Sequence, residues 1–374
     1  MKAKCEREKF LHAFQTAASV APTRSPKAIL QNVKLEVSTE QATLTGTDLE
    51  VGIRIDVPGF IVEAPGSLVL PIGRFGSILR ESSDEMLDLQ SDGGKTTVRG
   101  RQSEFHLPSE NPDEFPAVAT FEEEKYHELP ARFFREIVRR TVFATDNESS
   151  RYALGGVLIE LSPAGIIAVA TDGRRLARQE GPAKSVGGHE SGDTMTIIPT
   201  GAMKLIERAL GDSEENIQLA ARENDVLIKS GRTTIYSRLV EGRYPKWRDV
   251  FPRSEGMTKI EMAVGPFHAA VRQAAIVTSD ERRGVDFTFG DGKVVMAGHG
   301  AEFGESHVEM PIAYDGVEIA VTLDPRYVSD FLKVLAPERT FVMEVRGPES
   351  AAVCRTDDGY GYVIMPLARD QKTK

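Results

Sequence analysis

One order of helical and strand-like segments recurs six times along the 374-residue chain, and this repeat constrains the fold more than any other feature. Each copy holds one segment with apolar residues at helical spacing and several short strand-like runs. The segments that contain the predicted helices are 6–19, 66–82, 130–144, 193–210, 265–277 and 317–335. The copies come in three consecutive pairs, which predicts an α+β protein of three similar domains, each a duplicated unit of a helix and an antiparallel sheet.

The boundaries between the three pairs of copies are also marked in the sequence. Each pair of copies ends on a large apolar or aromatic residue followed by proline, at Phe115-Pro116, Tyr244-Pro245 and Met365-Pro366. The acidic stretch 122–125 and the polar stretch 252–259 lie between the pairs. We therefore expect domains at 1–124, 125–253 and 254–374. Chance similarity among ordinary α+β domains is the alternative, and a sixfold recurrence disfavours it.

Composition excludes several classes of protein. The chain has no run of about 18 apolar residues, which a membrane-spanning helix would need. The charged N-terminus MKAKCEREKF lacks the apolar core of a signal peptide. The two cysteines, Cys5 and Cys354, supply neither a disulfide framework nor a zinc cluster. We expect a cytoplasmic protein, with no metal and no cofactor.

The charges are divided unevenly between helices and the rest of the chain. The net charge is −10, yet the six predicted helices together carry roughly +7, which leaves about −17 elsewhere. If the helices line one surface, an acidic protein presents a basic face that holds a phosphate backbone without reading sequence. Solvated helix faces of no special function are the alternative. The basic helix residues that would form this phosphate-binding face are Arg74, Arg132, Arg135, Arg139, Lys204, Arg208 and Arg272.

The stretch IAVATDGRRLARQ (167–179) carries two arginines at the end of a predicted strand. An Asp-Gly turn there is ordinary, but Arg174 and Arg175 at its rim, followed at once by Leu176, are unusual. A second interpretation makes Asp172 a general acid and the two arginines a phosphate clamp. A role for Asp172 in the turn alone is favoured.

Other signs of catalysis are weak. GGKTT (93–97) lacks the P-loop spacing and falls in a predicted hairpin turn. His299 and His307 lie in a predicted strand region without a metal-binding spacing, and neither cysteine has a nucleophile context. The sequence thus favours a binding protein over an anion-processing enzyme.

Five segments carry a resemblance to a known family. They are LTGTDLEVGI (44–53), RYALGGVLIE (151–160), VATDGRRLA (169–177), SRLVEGRYPKWRDVFP (237–252) and YVIMP (362–366). In order and spacing the chain resembles the bacterial DNA polymerase III beta subunits, the replicative sliding clamps, over essentially its whole length. The resemblance implies the DNA clamp fold and a head-to-tail dimeric ring whose helices surround duplex DNA. It implies a non-catalytic processivity subunit that is nucleoid-associated during replication. Eukaryotic-type trimeric clamps have two domains per chain and fit less well.

The resemblance also implies a pocket for partner peptides between the second and third domains. The DNA polymerase III catalytic subunit, the clamp loader, other polymerases and repair proteins would insert peptides rich in Gln, Leu and Phe there. The matching residues are Arg151, Leu154, Thr171, Gly173, Arg174, Arg175, Leu176, Pro245, Val250, Asp324, Tyr327, Val363, Met365 and Pro366. Apolar walls would hold Leu and Phe, while the arginines would hydrogen-bond peptide carbonyls.

Some positions depart from the family pattern. Arg174 stands where His is frequent, Asp324 where Asn is usual, and Asp249 where a basic residue occurs. The chain also continues past Pro366 with LARDQKTK. These departures change the charge and polarity of the side chains at the predicted pocket. On the DNA side, Arg24 and Arg74 match basic positions of the family, whereas Glu148 replaces an uncharged residue.

An edge strand suggests how the ring closes. Phe105 and Leu107 form an apolar pair on what would otherwise be an exposed sheet edge, which association would cover. We expect them to face Ile276 and Val277 of a second copy of the chain, so that the first domain meets the third.

Overall fold

The computed structural model describes residues 1–92, 94–146, 148, 153–192, 195–211, 214–280, 282–300 and 303–367. Its helices in these ranges are α1 (Arg7–Ala18), α2 (Ile72–Glu81), α3 (Ala131–Thr141), α4 (Thr200–Leu210), α5 (Trp247–Val250), α6 (Val264–Ala274) and α7 (Pro325–Lys333). All six predicted helices are present. The single turn of α5 was not predicted.

Strands in the first part of the chain are β1 (Lys2–Glu6), β2 (Asn32–Val37), β3 (Ala42–Thr47), β4 (Val51–Val57), β5 (Phe60–Ala64), β6 (Gly66–Pro71), β7 (Met86–Ser91), β8 (Lys95–Arg99), β9 (Glu104–Pro108) and β10 (Tyr126–Pro130). Those in the middle are β11 (Gly156–Ser162), β12 (Gly165–Thr171), β13 (Arg175–Gly181), β14 (Lys184–Val186), β15 (Thr196–Pro199), β16 (Asn216–Ala221), β17 (Asp225–Ser230) and β18 (Thr233–Arg238). The last are β19 (Thr258–Ala263), β20 (Val285–Gly290), β21 (Lys293–Gly300), β22 (Gly304–Pro311), β23 (Ile319–Leu323), β24 (Thr340–Val345), β25 (Ala352–Arg355) and β26 (Tyr360–Ile364).

The sixfold repeat is visible in how the longer helices begin. Each of them follows a strand with at most one residue between: β1–α1, β6–α2, β10–α3, β15–α4, β19–α6 and β23–α7. The strand pairings with a defined register are antiparallel. The prediction of an α+β protein with antiparallel sheets is therefore confirmed.

The chain divides into two compact units, which do not coincide with the three predicted domains. The first comprises Met1–Arg135, Leu161–Pro163 and Ala183–Val240. It contains a five-stranded sheet in the order β5-β1-β7-β8-β9 and a nine-stranded sheet in the order β14-β10-β16-β17-β18-β4-β3-β2-β6. Part of its core is aromatic, because the Phe75 ring on α2 lies 5.5 Å from Phe10 and 5.1 Å from Phe14 on α1.

The second unit comprises Glu136–Glu160, Ala164–Pro182 and Glu241–Lys374. In it the strands run β11-β12-β13-β26-β25-β24-β19 in one sheet and β22-β21-β20-β23 in another. Phe331 on α7 is fully buried, with its ring 5.2 Å from Phe341 and 5.4 Å from both Tyr360 and Tyr362. The sheet that carries β13 and β26 is thus fixed against α7 by stacked rings.

Arg140 on α3 belongs to this core and not to a basic helix surface. Its guanidinium donates hydrogen bonds to Gln179 Oε1 (2.7 Å) and Asp358 Oδ2 (2.9 Å) and lies 5.2 Å from the centre of the Tyr360 ring. Burial alone would raise the pKa of Asp358, but hydrogen bonds from Thr356, Arg140 and Arg339 hold it well below its usual range. The positive charge counted for the helix surfaces is therefore too high by one.

Candidate functional site

The TDGRR turn is built by its own side chains. Asp172 Oδ1 accepts hydrogen bonds from the backbone N–H groups of Arg174 (2.9 Å) and Arg175 (3.0 Å). Gly173 has φ +84°, a conformation that favours glycine. Thr171 Oγ1 donates to the Arg175 carbonyl at 2.6 Å. The Asp172 carboxylate is thus occupied in the turn, as the turn-forming interpretation predicts.

Arg175 engages its guanidinium within its own unit, so its place in the peptide-binding rim stays a prediction that its burial disfavours. Its side chain is 11% exposed. The guanidinium donates to Asp172 Oδ2 (2.9 Å), Asp330 Oδ2 (2.6 Å) and the Phe143 carbonyl (2.6 Å). It also lies 4.5 Å from the centre of the Tyr327 ring. Arg175 therefore joins β13 to α7 inside the unit.

The electrostatics of Arg175 fit this structural role. Burial would lower the pKa of its guanidinium, but Tyr362, Asp330 and Asp172 outweigh burial and raise the pKa above its already high value. The side chain stays charged, and its charge is matched within the unit. Sequence reasoning missed Asp330, because 155 residues separate it from Arg175.

Arg174 differs from its neighbour in that it is exposed. Its carbonyl accepts a hydrogen bond from the Met365 N–H at 2.9 Å. Of the two arginines that the sequence singles out, only Arg174 stands at the surface of the TDGRR turn.

The C-terminal YVIMP segment lies directly beside this turn. Strand β26 pairs with β13 in antiparallel register, with Val363 opposite Leu176 and Ile364 opposite Arg175. Met365 then continues along the end of the turn through its bond to Arg174. The predicted adjacency of these two segments is confirmed.

The apolar residues of the predicted pocket divide into two groups. Val250 and Met365 are 48% and 43% exposed. The other apolar members are covered to different degrees: Leu154, Leu176 and Val363 are buried, as is Thr171, whereas Pro245 and Pro366 are half-buried and Gly173 is exposed. The exposed apolar part of the predicted pocket is therefore limited to Val250 and Met365 and is smaller than the sequence suggested.

Asp324 is engaged within its own unit, so it is a poorer candidate for contact with a peptide than the sequence suggests. It is 1% exposed, accepts a hydrogen bond from the Arg326 N–H at 3.0 Å as the N-cap of α7, and pairs with the Arg326 guanidinium at 2.9 Å. Tyr327 is half-buried and lies against Arg175. Arg151 lies outside the described residues.

The residues predicted to contact DNA are mostly free to do so. Those that are exposed are Arg24, Arg74, Arg132, Arg139, Lys204, Arg208 and Arg272. Arg135 is half-buried and donates a hydrogen bond to the Gly211 carbonyl, so it is a poorer candidate.

The predicted dimer residues differ in exposure. Phe105 is 40% exposed on β9, an edge strand, and borders a cavity of about 560 Å³ that Ile78 also lines. Leu107 is buried within its own unit, so the expectation that both side chains lie on an open edge is wrong for Leu107. Ile276 is 77% exposed in the turn after α6, and Val277 is half-buried.

Both cysteines and two of the histidines are buried within the fold. Burial raises the pKa of the Cys5 thiol to about 12 and also raises that of Cys354, so neither is a nucleophile at neutral pH. His127 and His189 form a buried contact that the sequence did not reveal, with their Nδ1 atoms 2.8 Å apart. The outer nitrogen of each ring lies within hydrogen-bonding distance of a backbone carbonyl, which indicates a structural pair.

Acidic, histidine and cysteine side chains are dispersed in the part of the chain that the structure describes. No group of three or more of them is placed there to hold a metal ion. No helix in the same ranges has the length and apolar character that crossing a membrane requires.

Comparison with family models matches three consecutive parts of the chain to one protein. Residues 1–119 match the N-terminal domain of the DNA polymerase III beta subunit, residues 128–246 its central domain, and residues 248–368 its C-terminal domain. The order of the three matches is that of the threefold repeat in the sequence.

Curated relatives agree over nearly the full length. The beta sliding clamp of Pseudomonas putida is 27% identical over 373 residues, covering 97% of this chain and 98% of the relative. The beta sliding clamp of Halalkalibacterium halodurans is 27% identical, with 98% and 96% covered.

Solved structures share the three-domain fold. The DNA polymerase III subunit beta of Pseudomonas aeruginosa superposes with a TM-score of 0.90 at 26% identity, covering 98% of this chain and 100% of the other. The DNA polymerase sliding clamp of Bacillus subtilis gives a TM-score of 0.91 at 23% identity, with 99% and 100% covered. The chain therefore belongs to the DNA polymerase III beta subunit family, the beta sliding clamps, which are non-catalytic processivity factors of DNA replication.

Proposed function

We propose that this clamp closes around duplex DNA as a head-to-tail ring of two copies and binds partner peptides beside the TDGRR turn. The domains would be 1–124, 125–253 and 254–374, and the protein would act in the cytoplasm, at the nucleoid during replication. The partners would be the DNA polymerase III catalytic subunit, the clamp loader, and other polymerases and repair proteins with Gln-, Leu- and Phe-rich peptides. One observation carries the peptide site: two exposed apolar side chains, Val250 and Met365, lie in segments that meet the same sheet.

The chemistry of the surface supports an extended, partly apolar ligand. Met365 is flexible and polarisable, and such side chains adapt to varied apolar partners. Arg174 is exposed next to it and supplies donors for peptide carbonyls. Few anchors would be buried and an extended peptide must be ordered, so we expect affinity in the micromolar range.

Truncating Met365 to Ala should weaken peptide binding by about 1–3 kcal/mol, because it removes an apolar anchor while the fold keeps its buried residues. Calorimetric titration with a Gln-Leu-x-Leu-Phe peptide measures this. Met86→Ala is the matched control, since Met86 is similarly exposed at 38% but lies on β7, outside the site. Equal affinities for wild type and Met365→Ala would contradict the proposed site.

The DNA contact proposed here is electrostatic and independent of sequence. We infer that Arg24, Arg74, Arg132, Arg139, Lys204, Arg208 and Arg272 meet the phosphate backbone, with Arg135 in a supporting role. Such contacts give weak binding that salt reduces steeply.

Replacing Arg24, Arg74, Arg132 and Arg139 by Glu should impair retention on primed circular DNA. The salt dependence of DNA binding should flatten by about one unit of slope for each phosphate that is no longer neutralised. The control reverses four exposed charges on strands, Lys95, Lys184, Arg238 and Lys259, for the same change in net charge. Tight, sequence-selective binding to a linear duplex would contradict this mode of contact.

A further inference from the structure

A segment that follows the predicted pocket residue Pro245 is fastened across the face of a sheet. This strap comprises residues 247–254. At its start the Trp247 indole N–H donates to Glu160 Oε1 on β11 at 3.1 Å. At its end the Ser254 hydroxyl lies 2.9 and 3.0 Å from the Glu344 carboxylate oxygens on β24. The strap therefore spans the strands between β11 and β24.

Between these two ends, arginines and aromatic rings alternate. The Arg248 guanidinium lies 4.3 Å from the Trp247 ring centre, and Arg178 lies 5.6 Å from the same ring. Arg178 is also 5.7 Å from the Phe251 ring centre. Arg355, at the opposite end of the series, lies 4.7 Å from the Phe251 ring centre. Cation–π attraction thus links the strap to β13 and β25.

Each arginine of the series has its own carboxylate. Arg248 pairs with Glu160 at 2.6 Å, Arg178 with Glu180, and Arg355 with the buried Glu344 at 3.1 Å. The Arg178 Nε is buried and has no hydrogen-bond partner in the described part of the chain. Arg178 is therefore held by Glu180 and by the two rings that it separates.

Gly361 makes room for the central ring. Arg178, Gly361 and Arg355 stand opposite one another on β13, β26 and β25. A Cβ added at Gly361 would lie 2.7 Å from Phe251 Cζ, which is closer than real Cβ atoms come. Phe251 can lie between the two arginines only because residue 361 has no side chain.

The strap is connected to the proposed peptide surface in two places, through Val250 and through strand β26. Val250 is one of the two exposed apolar residues of the proposed peptide surface, and it immediately precedes Phe251 in the strap. Phe251 lies against Gly361 on strand β26, and Met365 follows Gly361 by four residues in the chain. A substitution that displaces the strap would therefore shift Val250 relative to Met365 even though neither residue is itself substituted.

We propose that Arg178, Phe251, Gly361 and Arg355 are positioning residues for partner-peptide binding, and that the strap couples peptide occupancy to Trp247. This rests on the proposed peptide site. Trp247 is the single tryptophan of the chain, is buried, and is three residues from Val250. Since indole emission responds to nearby charges, a change in its two guanidinium neighbours would report a bound peptide.

Gly361→Ala tests the coupling without removing any charge or ring. With a Gln-Leu-x-Leu-Phe peptide and the full-length protein, we expect affinity to fall at least tenfold by calorimetry. We also expect the peptide-induced change in Trp247 emission, present in wild type, to be diminished. Gly347→Ala is the matched control, because a Cβ there meets nothing within 4 Å. It should bind as wild type does.

Phe251 provides a second route, independent of how Gly361→Ala folds. Phe251→Leu removes the ring and should weaken the peptide at least tenfold, and it should diminish the peptide-induced change in Trp247 emission. Failure of the wild type to bind peptide would refute the peptide site itself. If the wild type binds the peptide and folded Phe251→Leu binds it with the same affinity, the role of the strap is overturned and the site stands. The same holds if peptide binding to the wild type leaves Trp247 emission unchanged.

Discussion

The double variant Ile276→Asp/Val277→Asp should sediment as a monomer at concentrations where the wild-type clamp is a dimer, and it should dissociate from circular DNA. Ile276 is 77% exposed and therefore contributes little to the fold of its own unit. In the predicted ring this side chain would be covered by the partner copy. Two carboxylates there would have to be desolvated at the interface without a matching charge.

The expected effect is large because a head-to-tail ring contains the same interface twice. A side chain that acts as a hot spot at the centre of an interface is worth about 2 kcal/mol or more, and we expect Ile276 and Val277 to be such residues. The double change thus removes roughly 4 kcal/mol from each interface, several orders of magnitude in the dimerisation constant.

Val317→Asp is the control for added charge, since Val317 is 84% exposed on the same unit but is not a predicted dimer residue. It should remain a dimer. Sedimentation equilibrium and retention on nicked circles measure the two consequences. If the Ile276→Asp/Val277→Asp protein stayed dimeric, the ring interface would have to lie elsewhere.

Helices were predictable because their apolar spacing is local. The segment 6–19 predicted α1, and buried Phe10 and Phe14 occupy its apolar face. Strand β1 was not predicted, although Lys2–Glu6 alternates outward charges with buried Ala3 and Cys5, because these two small residues are the only apolar ones that mark its inward face. The single turn of α5 is too short for any periodicity to reveal.

The roles of buried charges were not predictable, since their partners are distant in sequence. Arg140 was counted as a surface charge, yet it pairs with Asp358, 218 residues away. Asp324 was placed in the pocket by its match to the family, whereas its carboxylate caps α7 and pairs with Arg326. A motif identifies which residues are near a site, and only the fold decides which of them face outward.

The two arginines of the TDGRR turn illustrate this division, and they should respond oppositely to truncation. Arg175→Ala should lower the free energy of unfolding by about 3 kcal/mol, because it leaves the mostly buried Asp172 and Asp330 carboxylates without their partner. Arg174→Ala should leave stability within about 0.5 kcal/mol of wild type, as expected for an exposed side chain.

Peptide affinity should depend directly on Arg174, the arginine whose truncation leaves stability unchanged. Arg174→Ala removes donors for peptide carbonyls and should weaken the peptide by about 1 kcal/mol in a protein of unchanged stability. Arg175→Lys should recover only part of the missing stability, since an ammonium cannot reproduce three bonds in a planar fork together with stacking on Tyr327. Urea denaturation and calorimetric titration of the same preparations separate the two effects. If Arg175→Ala proved as stable as wild type and showed only a weaker peptide affinity, its guanidinium would serve the ligand and not the fold.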